Sequence, residues 1–441
     1  MQKTLLFFLM LSVSVLANGC VTGGNASLPW GMDTGVVTQD PQSIPDIAWQ
    51  TQNQRQVLTR QSNAVAAESS KTMGTAERDP NRPSLQTIVA PAGPARKVSV
   101  ALLLPLSGKH ASLGQAMLKA SQMALFDVGS ANFDIVPQDT KSTPEGAAAA
   151  AQAAVGRRVD LVLGPIFAED VRAAKPILSS ANIPLIAFTT DWSMGDRNTY
   201  IFGFLPFLQV ARVAQFAESQ GLGRFAVYAP QTEYCDVVIS SLQRSAGSLV
   251  AVERYAAEQP DLSALVADFS ARHNLGAETF RFDTLMLPLG GESLRSLVAL
   301  LDQNGIKPPA VKLVGTGLWD DPALSGDVAL HGGWFAAPDP QLRRDFEKRY
   351  QENFGEKPVR LSSLAYDATA LAAVLARTTV PGENPYDRAR LTHPRGFAGI
   401  DGIFRFRGDG LAERGLAVLE IRPGGAKVVS PAPTAFVSSG S

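Results

Sequence analysis

Two cysteines and four histidines are all that this 441-residue chain offers to soft metal chemistry, and their spacing excludes most of it. Cys20 and Cys235 lie too far apart for a zinc-ligand pattern. His110, His273, His331 and His393 fall in unrelated segments, and none belongs to a His-Glu-x-x-His motif. Charge of one sign is lacking as well. Forty basic residues balance forty-one acidic ones, which argues against nucleic acid, whose phosphates demand a basic face. There is no Gly-x-Ser-x-Gly elbow and no Walker loop. The stretch Gly315-Thr316-Gly317-Leu318-Trp319 opens like a dinucleotide fingerprint but lacks the third glycine. Cys235, at a predicted helix start, reads as a buried inert thiol. The expectation is a protein that is not an enzyme, with no cofactor and no metal.

Long apolar runs are also missing. Leu5–Ala17 is the apolar stretch nearest the N-terminus, and its thirteen residues are too few to span a bilayer, which needs about 20. A charged start, an apolar middle and the small-residue end Ala17-Asn18-Gly19 make a secretory signal. Cys20 directly after it resembles the bacterial lipobox, which implies acylation of that thiol and lasting attachment to a membrane. Val21 stands where inner-membrane retention uses aspartate, so the expected address is the periplasmic face of the outer membrane. From there to about Arg96 the chain is rich in Gly, Pro, Gln, Ser and Thr without apolar period. As a flexible tether it would span about 50 Å r.m.s..

At Lys97 the texture changes. Val98–Leu104 reads as a buried strand stopped by Pro105-Leu106-Ser107-Gly108. The following segment places Leu113, Met117, Ala120 and Ala124 on one helical face. Phe133–Asp139 is a second strand. Thr143-Pro144-Glu145 is a cap, a helix start and a first-turn acid. Val159–Leu163 is a strand buried on both faces, ended by Gly164-Pro165, and a helix from Ala168 to Ala181 follows. Strand and helix alternate again from Arg224 onward. The expected class is α/β: two doubly wound parallel-sheet lobes joined by a multi-strand hinge, behind a signal peptide and tether. The expected division is a signal at 1–19, a lipidated tether at 20–95, and lobe 1 in two parts, 96–204 and 332–385. Lobe 2 occupies 205–331, with a hairpin at 386–425 packed on it and a disordered tail at 426–441. His331–Pro338 is expected to be the return crossing.

The segments from Val100 to Leu125, Leu161 to Ile177, Ile183 to Asp191, Ser363 to Ala372 and Gly399 to Ile421 resemble, in this order, the type 1 periplasmic-binding proteins. Within them the chain is most similar to the penicillin-binding protein activators, the LpoA-like lipoproteins. That resemblance implies a non-catalytic regulator of peptidoglycan synthesis, whose partner is a bifunctional penicillin-binding protein. The alternative is a receptor that delivers an amino acid or other small polar solute to an ABC importer.

The mouth residues bear on that choice. Leucine-type receptors grip a carboxylate with hydroxyls, and the matching positions here are Ala168, Ala187 and Asp191, with Glu169 beside the first. A ligand carboxylate would meet like charge, about 4 kcal/mol at 4 Å and an effective dielectric near 20. Thr189 and Thr190 offer hydroxyls out of that register. The other cleft candidates are Ser107, Lys109, Phe167, Gly290, Trp319, Tyr366 and Asp367. Each has a plainer reading. Acids in a first helical turn, Glu169 and Asp170, answer to the helix dipole. Tyr366-Asp367 sits on a helix whose Leu364, Ala368 and Leu371 already share a face. Trp319 either closes over a ligand or packs against a neighbouring helix.

Overall fold

The computed structural model describes residues 97–129, 132–276, 279–380 and 382–436. The expected signal, the lipidation site Cys20 and the tether lie outside the described residues.

Lobe 1 begins with β1 (Val98–Leu104), α1 (Ala111–Val128), β2 (Phe133–Asp139), α2 (Pro144–Gly156) and β3 (Leu161–Leu163). It continues with α3 (Ala168–Ser180), β4 (Leu185–Ala187) and β5 (Thr199–Ile201). The strands form one parallel sheet in the order β2-β1-β3-β4-β5. Apolar β-branched strands dictate this result, because both faces of a parallel sheet must be covered. Val100 to Leu104 and Leu161 to Leu163 are accordingly fully buried. Met117, Ala120 and Ala124 of α1 are buried as their spacing predicts, and α1 ends on Gly129 in the left-handed conformation. Thr143 caps α2 by accepting the Gly146 N–H at 3.0 Å.

Lobe 2 contains α4 (Pro206–Ser219), β6 (Arg224–Pro230), α5 (Glu233–Ser245), β7 (Ser248–Tyr255) and α6 (Ser263–His273). A two-strand ribbon, β8 (Asn274–Gly276) with β9 (Thr279–Phe280), precedes β10 (Thr284–Met286), α7 (Gly291–Gln303), β11 (Lys312–Gly315) and β12 (Trp334–Ala337). After β12 come the helices α8 (Pro340–Phe354), α9 (Ser362–Thr378) and the short α10 (Arg388–Leu391). Five strands finish the described chain: β13 (Phe397–Gly399), β14 (Gly402–Phe406), β15 (Ala412–Arg414), β16 (Ala417–Arg422) and β17 (Gly425–Ser430). The second sheet runs β17-β16-β12-β11-β10-β6-β7, with β16 and β17 antiparallel to their neighbours.

Three expectations are corrected by this topology. Residues 334–337 do not return to lobe 1; they are β12 of the lobe 2 sheet, paired with β11 and β16. The segment 386–425 is not one hairpin on lobe 2. Its first part, β13-β14-β15, packs Phe397, Phe404, Phe406 and Ala412 into the lobe 1 core, beside Tyr200 and Phe202. Its last strand, β16, crosses into the lobe 2 sheet. The tail from 426 is not wholly irregular, because 425–430 is the edge strand β17. The chain therefore passes between lobes three times, at 202–205, at 338–339 and at 415–416.

Helix α9 is the pillar of lobe 1: every residue from Ser362 to Leu375 is buried. A helix buried on every side must have its polar groups met, and here Ser363, Tyr366 and Asp367 each make hydrogen bonds. Its alanines 365, 368, 372 and 373 let α1 approach closely enough for the Ser121 hydroxyl to come within 3.5 Å of the Ala365 carbonyl. At the other end of α1, a Cβ on Gly114 would lie 2.1 Å from the Pro105 carbonyl oxygen. Helix propensity alone would make Gly114→Ala stabilising by about 1 kcal/mol. The backbone collision reverses that sign. We expect Gly114→Ala to lower the unfolding free energy by about 2 kcal/mol, measured as a lower urea midpoint at unchanged slope; a raised midpoint would show that the loop has room.

Candidate ligand cleft

In open parallel sheets, ligands bind beyond the carboxyl ends of the strands, where the strand order reverses. In lobe 1 that point lies between β1 and β3, under the turns 105–110 and 164–167. In lobe 2 it lies between β6 and β10, near residues 231–232 and 288–290. The mouth residues are thus brought to one edge of each sheet.

Two of their three hydroxyls, however, already make hydrogen bonds within the lobe. Ser107 donates its Oγ–H to Asp139 at 2.6 Å, and that carboxylate also takes the N–H groups of Leu106, Ser107 and Lys141 at 2.8 to 3.1 Å. Burial pushes the Asp139 carboxyl up, but these hydrogen bonds outweigh it and hold it below the ordinary range. Thr189 is buried, and its Oγ1 accepts the Asp191 N–H at 3.1 Å. Ala168 brings no hydroxyl. Thr190 alone among the mouth candidates presents an exposed, uncommitted hydroxyl.

The acids sort into two kinds. Asp191 caps the turn at 192–194, taking the Ser193 N–H at 3.1 Å, and it is paired with Arg172 of α3 at 2.7 Å. Its charge is therefore balanced, which corrects the expectation that it repels a ligand. Glu169 is exposed. Asp170 is 2% exposed, its Oδ2 has no hydrogen-bond partner, and no side chain caps α3, whose N-cap residue is Phe167. Asp170 is not the simple dipole response expected of a first-turn acid. Burial, with Glu169 and Glu145 adding like charge, raises its carboxyl to about 6, against a smaller opposing effect of Lys109. Lys109 is exposed, and Phe167 is half-buried against the His110 ring at 4.5 Å between centroids. Gly290 caps α7, close to Leu318.

Three cleft candidates belong to the interior instead. Trp319 is 1% exposed and lies in the lobe 2 core, its ring filling the space that Gly315 and Gly333 leave open. Tyr366 is buried and donates its hydroxyl to Asp127 of α1, which also holds Arg349 of α8. Asp367 is buried and accepts the Ile400 N–H at 2.7 Å, tying α9 to the β13–β14 turn. Burial and the charge of Asp401 raise its carboxyl to about 7. All three are packed within a core, although the Trp319 Nε1–H, like the Asp170 Oδ2, has no hydrogen-bond partner. Sequence reading missed Tyr234, which donates its hydroxyl to Thr316 at 2.8 Å, and Gln209, which accepts the Gly317 N–H at 2.7 Å. Its only available signal was an aromatic residue at the start of a helix that follows a strand. Among the described residues, no three His, Cys, Asp or Glu side chains gather to hold a metal ion.

With this geometry in view, the comparisons are decisive for the family. A family model described as periplasmic binding protein matches residues 97–426. The chain belongs to that family. A search of curated proteins returns no match. Among solved structures, a Rhodospirillum rubrum protein assigned to branched-chain amino acid ABC transport is 20% identical, with a TM-score of 0.65, covering 75% of this chain and 99% of its own. The branched-chain amino acid substrate-binding protein LivJ of Streptococcus pneumoniae, solved with isoleucine, is also 20% identical, with a TM-score of 0.56 and coverage of 76% and 100%. A Rhodopseudomonas palustris solute-binding protein, solved with benzoate, is 17% identical, with a TM-score of 0.56 and coverage of 78% and 98%. At these identities the likeness establishes the type 1 periplasmic-binding fold.

The Asp170 carboxyl yields a pH prediction. Its folded value of about 6 exceeds the ordinary 3.8, so the folded state keeps a proton that the unfolded state releases. Its favourable contribution is complete below the ordinary value and disappears as pH rises through about 6. The span corresponds to roughly 3 kcal/mol at most. Asp170→Asn should therefore gain stability over the wild type between pH 4.5 and 7.5, read as a difference in unfolding midpoint that grows with pH. A constant difference would place the proton elsewhere.

Proposed function

We propose that this periplasmic binding protein is a non-catalytic receptor that takes a small polar solute between its lobes, and that the solute presents an amide or amine to lobe 1 rather than a free carboxylate. One observation carries this reading. At the lobe 1 mouth the Ser107 hydroxyl proton is committed to Asp139 and the Thr189 Oγ1 accepts the Asp191 N–H, while Asp170, itself 2% exposed, keeps a carboxylate oxygen without a partner. A buried acceptor without a donor is costly, and a ligand N–H or ammonium removes that cost. The uncapped N-terminus of α3 beside it offers backbone N–H groups to a carbonyl oxygen, so an amide satisfies both. The family relatives solved with small ligands support the solute-receptor reading over a purely structural one.

A second reading makes the protein a regulator that contacts a bifunctional penicillin-binding protein, with lipidated Cys20 and the tether from residue 21 carrying the body from the outer membrane toward the synthase. The engaged hydroxyls favour it, since a cleft without its carboxylate cradle is free for another use. The likeness to solute receptors weighs against it, and we place it second.

Titration calorimetry and thermal shift across amino acids, their amides, dipeptides and polyamines decide between the two. The expected outcome is a micromolar amide or amine ligand, which at hundredfold excess over its Kd stabilises by about 2.7 kcal/mol, and at least tenfold weaker binding in Asp170→Asn. Leucine held by its carboxylate would overturn the ligand class. A silent screen, combined with recovery of a peptidoglycan synthase on the immobilised protein, would transfer the assignment to the second reading.

A further inference from the structure

Asp320 closes the short turn after β11, on the lobe 2 side. Its side chain is 11% exposed and receives two arginines. Arg343 grips it in bidentate fashion, with Nη1 on Oδ2 and Nη2 on Oδ1, the latter at 3.1 Å. Arg360 adds its Nε at 3.2 Å. Both arginines belong to lobe 1. Arg343 lies in α8, whose Phe346 and Tyr350 sit in the lobe 1 core, and Arg360 stands just before Leu361, the N-cap residue of α9.

Arg360 is itself held from behind. Its Nη2 lies 3.1 Å from Asp401, which is fully buried, and its Nη1 donates to Ser363 at 2.9 Å. Its guanidinium stacks on Phe204, in the first crossing between lobes, at 4.3 Å from the ring centroid. The second crossing reads Pro338-Asp339-Pro340, and the two prolines stiffen it. The contact between Asp320 and the arginines thus spans the lobes beside the segments about which they would have to turn.

We propose that Asp320 is an inter-lobe latch, a lobe 2 carboxylate clasped by two lobe 1 guanidinium groups, which holds the lobes of the unliganded protein at one angle. It goes beyond the solute-receptor reading and holds for either proposed function. Rotation about the crossings must draw Asp320 off its partners and leave charge uncompensated where little water reaches, so the latch favours one discrete arrangement over graded closure. Burial pushes the Asp320 carboxyl up, but the Arg343 hydrogen bond and the charges of Arg343 and Arg360 overcome it and keep the group ionised below the ordinary range.

Hydrogen-exchange mass spectrometry on the full chain, without added ligand, tests the latch. In Asp320→Asn, amides at 202–205, 317–320 and 415–416 should exchange about tenfold faster, while those of α1 and α7 keep wild-type rates. Asp320→Glu, which retains the carboxylate, should stay within threefold of wild type. Adding Arg343→Ala to Asp320→Asn should bring little further acceleration, because the same contact is already broken. Unchanged exchange at the crossings in Asp320→Asn would overturn the proposal. So would acceleration spread equally over α1 and α7, which would mark the cluster as general stabilisation, or fully additive effects of the two substitutions.

Discussion

The structure depends on charge held at the junction of the lobes. Arg414, at the end of β15, is buried; it donates to the Phe202 carbonyl at 2.8 Å and lies over the rings of Phe202 and Phe204 at 4.2 and 5.0 Å. Burial lowers its guanidinium to about 10, which still leaves it charged at neutral pH. Such a group is tolerated only because Asp367 and Asp401 lie close enough to compensate it. Asp401 in turn faces Arg360, and Arg360 faces Asp320. The charges therefore form a chain that starts beneath α9, passes under the first crossing and ends in lobe 2. A buried ionic chain is poor at adding net stability, since apolar side chains of equal volume often do as well. Its merit is geometric. Its members compensate one another's charge at one arrangement of the backbone, although the Arg414 Nε and Nη1 have no hydrogen-bond partner, and that ties three separate passages of the chain together.

Much of the fold could be read from sequence because the physics involved is local. Buried strands end at Pro105 and Gly164, Thr143 and Pro144 open a helix, Gly129 closes one, and the alternation of strand and helix forces a parallel sheet. What sequence could not settle was membership. Trp334–Ala337 is buried apolar chain, and such a strand looks the same whichever sheet receives it. Likewise the aromatic strand Gly402–Phe406 satisfies the same alternation on either lobe; only the rings of Tyr200 and Phe202 decide that it serves lobe 1. The candidate site was less legible still. Trp319, Tyr366 and Asp367 look like binding residues because polar and aromatic groups are unusual in the segments around them, and the structure uses them as internal fasteners. The junction charges gave no signal in sequence, because Asp320, Arg343, Arg360 and Asp401 lie far apart in the chain and each looks like an ordinary surface residue until the lobes meet.

The mouth of lobe 1 bears on what the proposed receptor would recognise. The turns between β1 and α1 and between β3 and α3 keep the position where a parallel sheet offers a ligand its strand ends. Two of the hydroxyls that remain there make hydrogen bonds within the lobe. Ser107 serves Asp139, and Thr189 serves the backbone ahead of Asp191. Once a hydroxyl proton is committed to a carboxylate inside the protein, releasing it to a ligand anion costs the bond already made. The Ser107 donor is thereby used up, while Glu169 and Asp170 add acceptor capacity. On the proposed reading, selectivity would follow from this imbalance more than from pocket volume, because a site rejects most strongly the ligand that leaves its buried polar groups unmatched.

The latch and the mouth have a joint consequence. A receptor whose lobes swing freely uses part of its binding energy to close, and closure itself signals that a ligand is present. With Asp320 clasped across the junction, the angle is largely set beforehand, so less ordering remains for the ligand to drive. Affinity gains from such preorganisation, but signalling by shape is lost, because a solute with equal contacts in both arrangements shifts no population. A partner protein would then have to sense occupancy at the cleft rim, through side chains such as Lys109 and Glu169, and not through the separation of the lobes. The same rigidity would suit a scaffold that presents one fixed face to a larger partner. If the latch holds, the state of the junction, more than the contents of the cleft, would govern which kind of partner this body can serve.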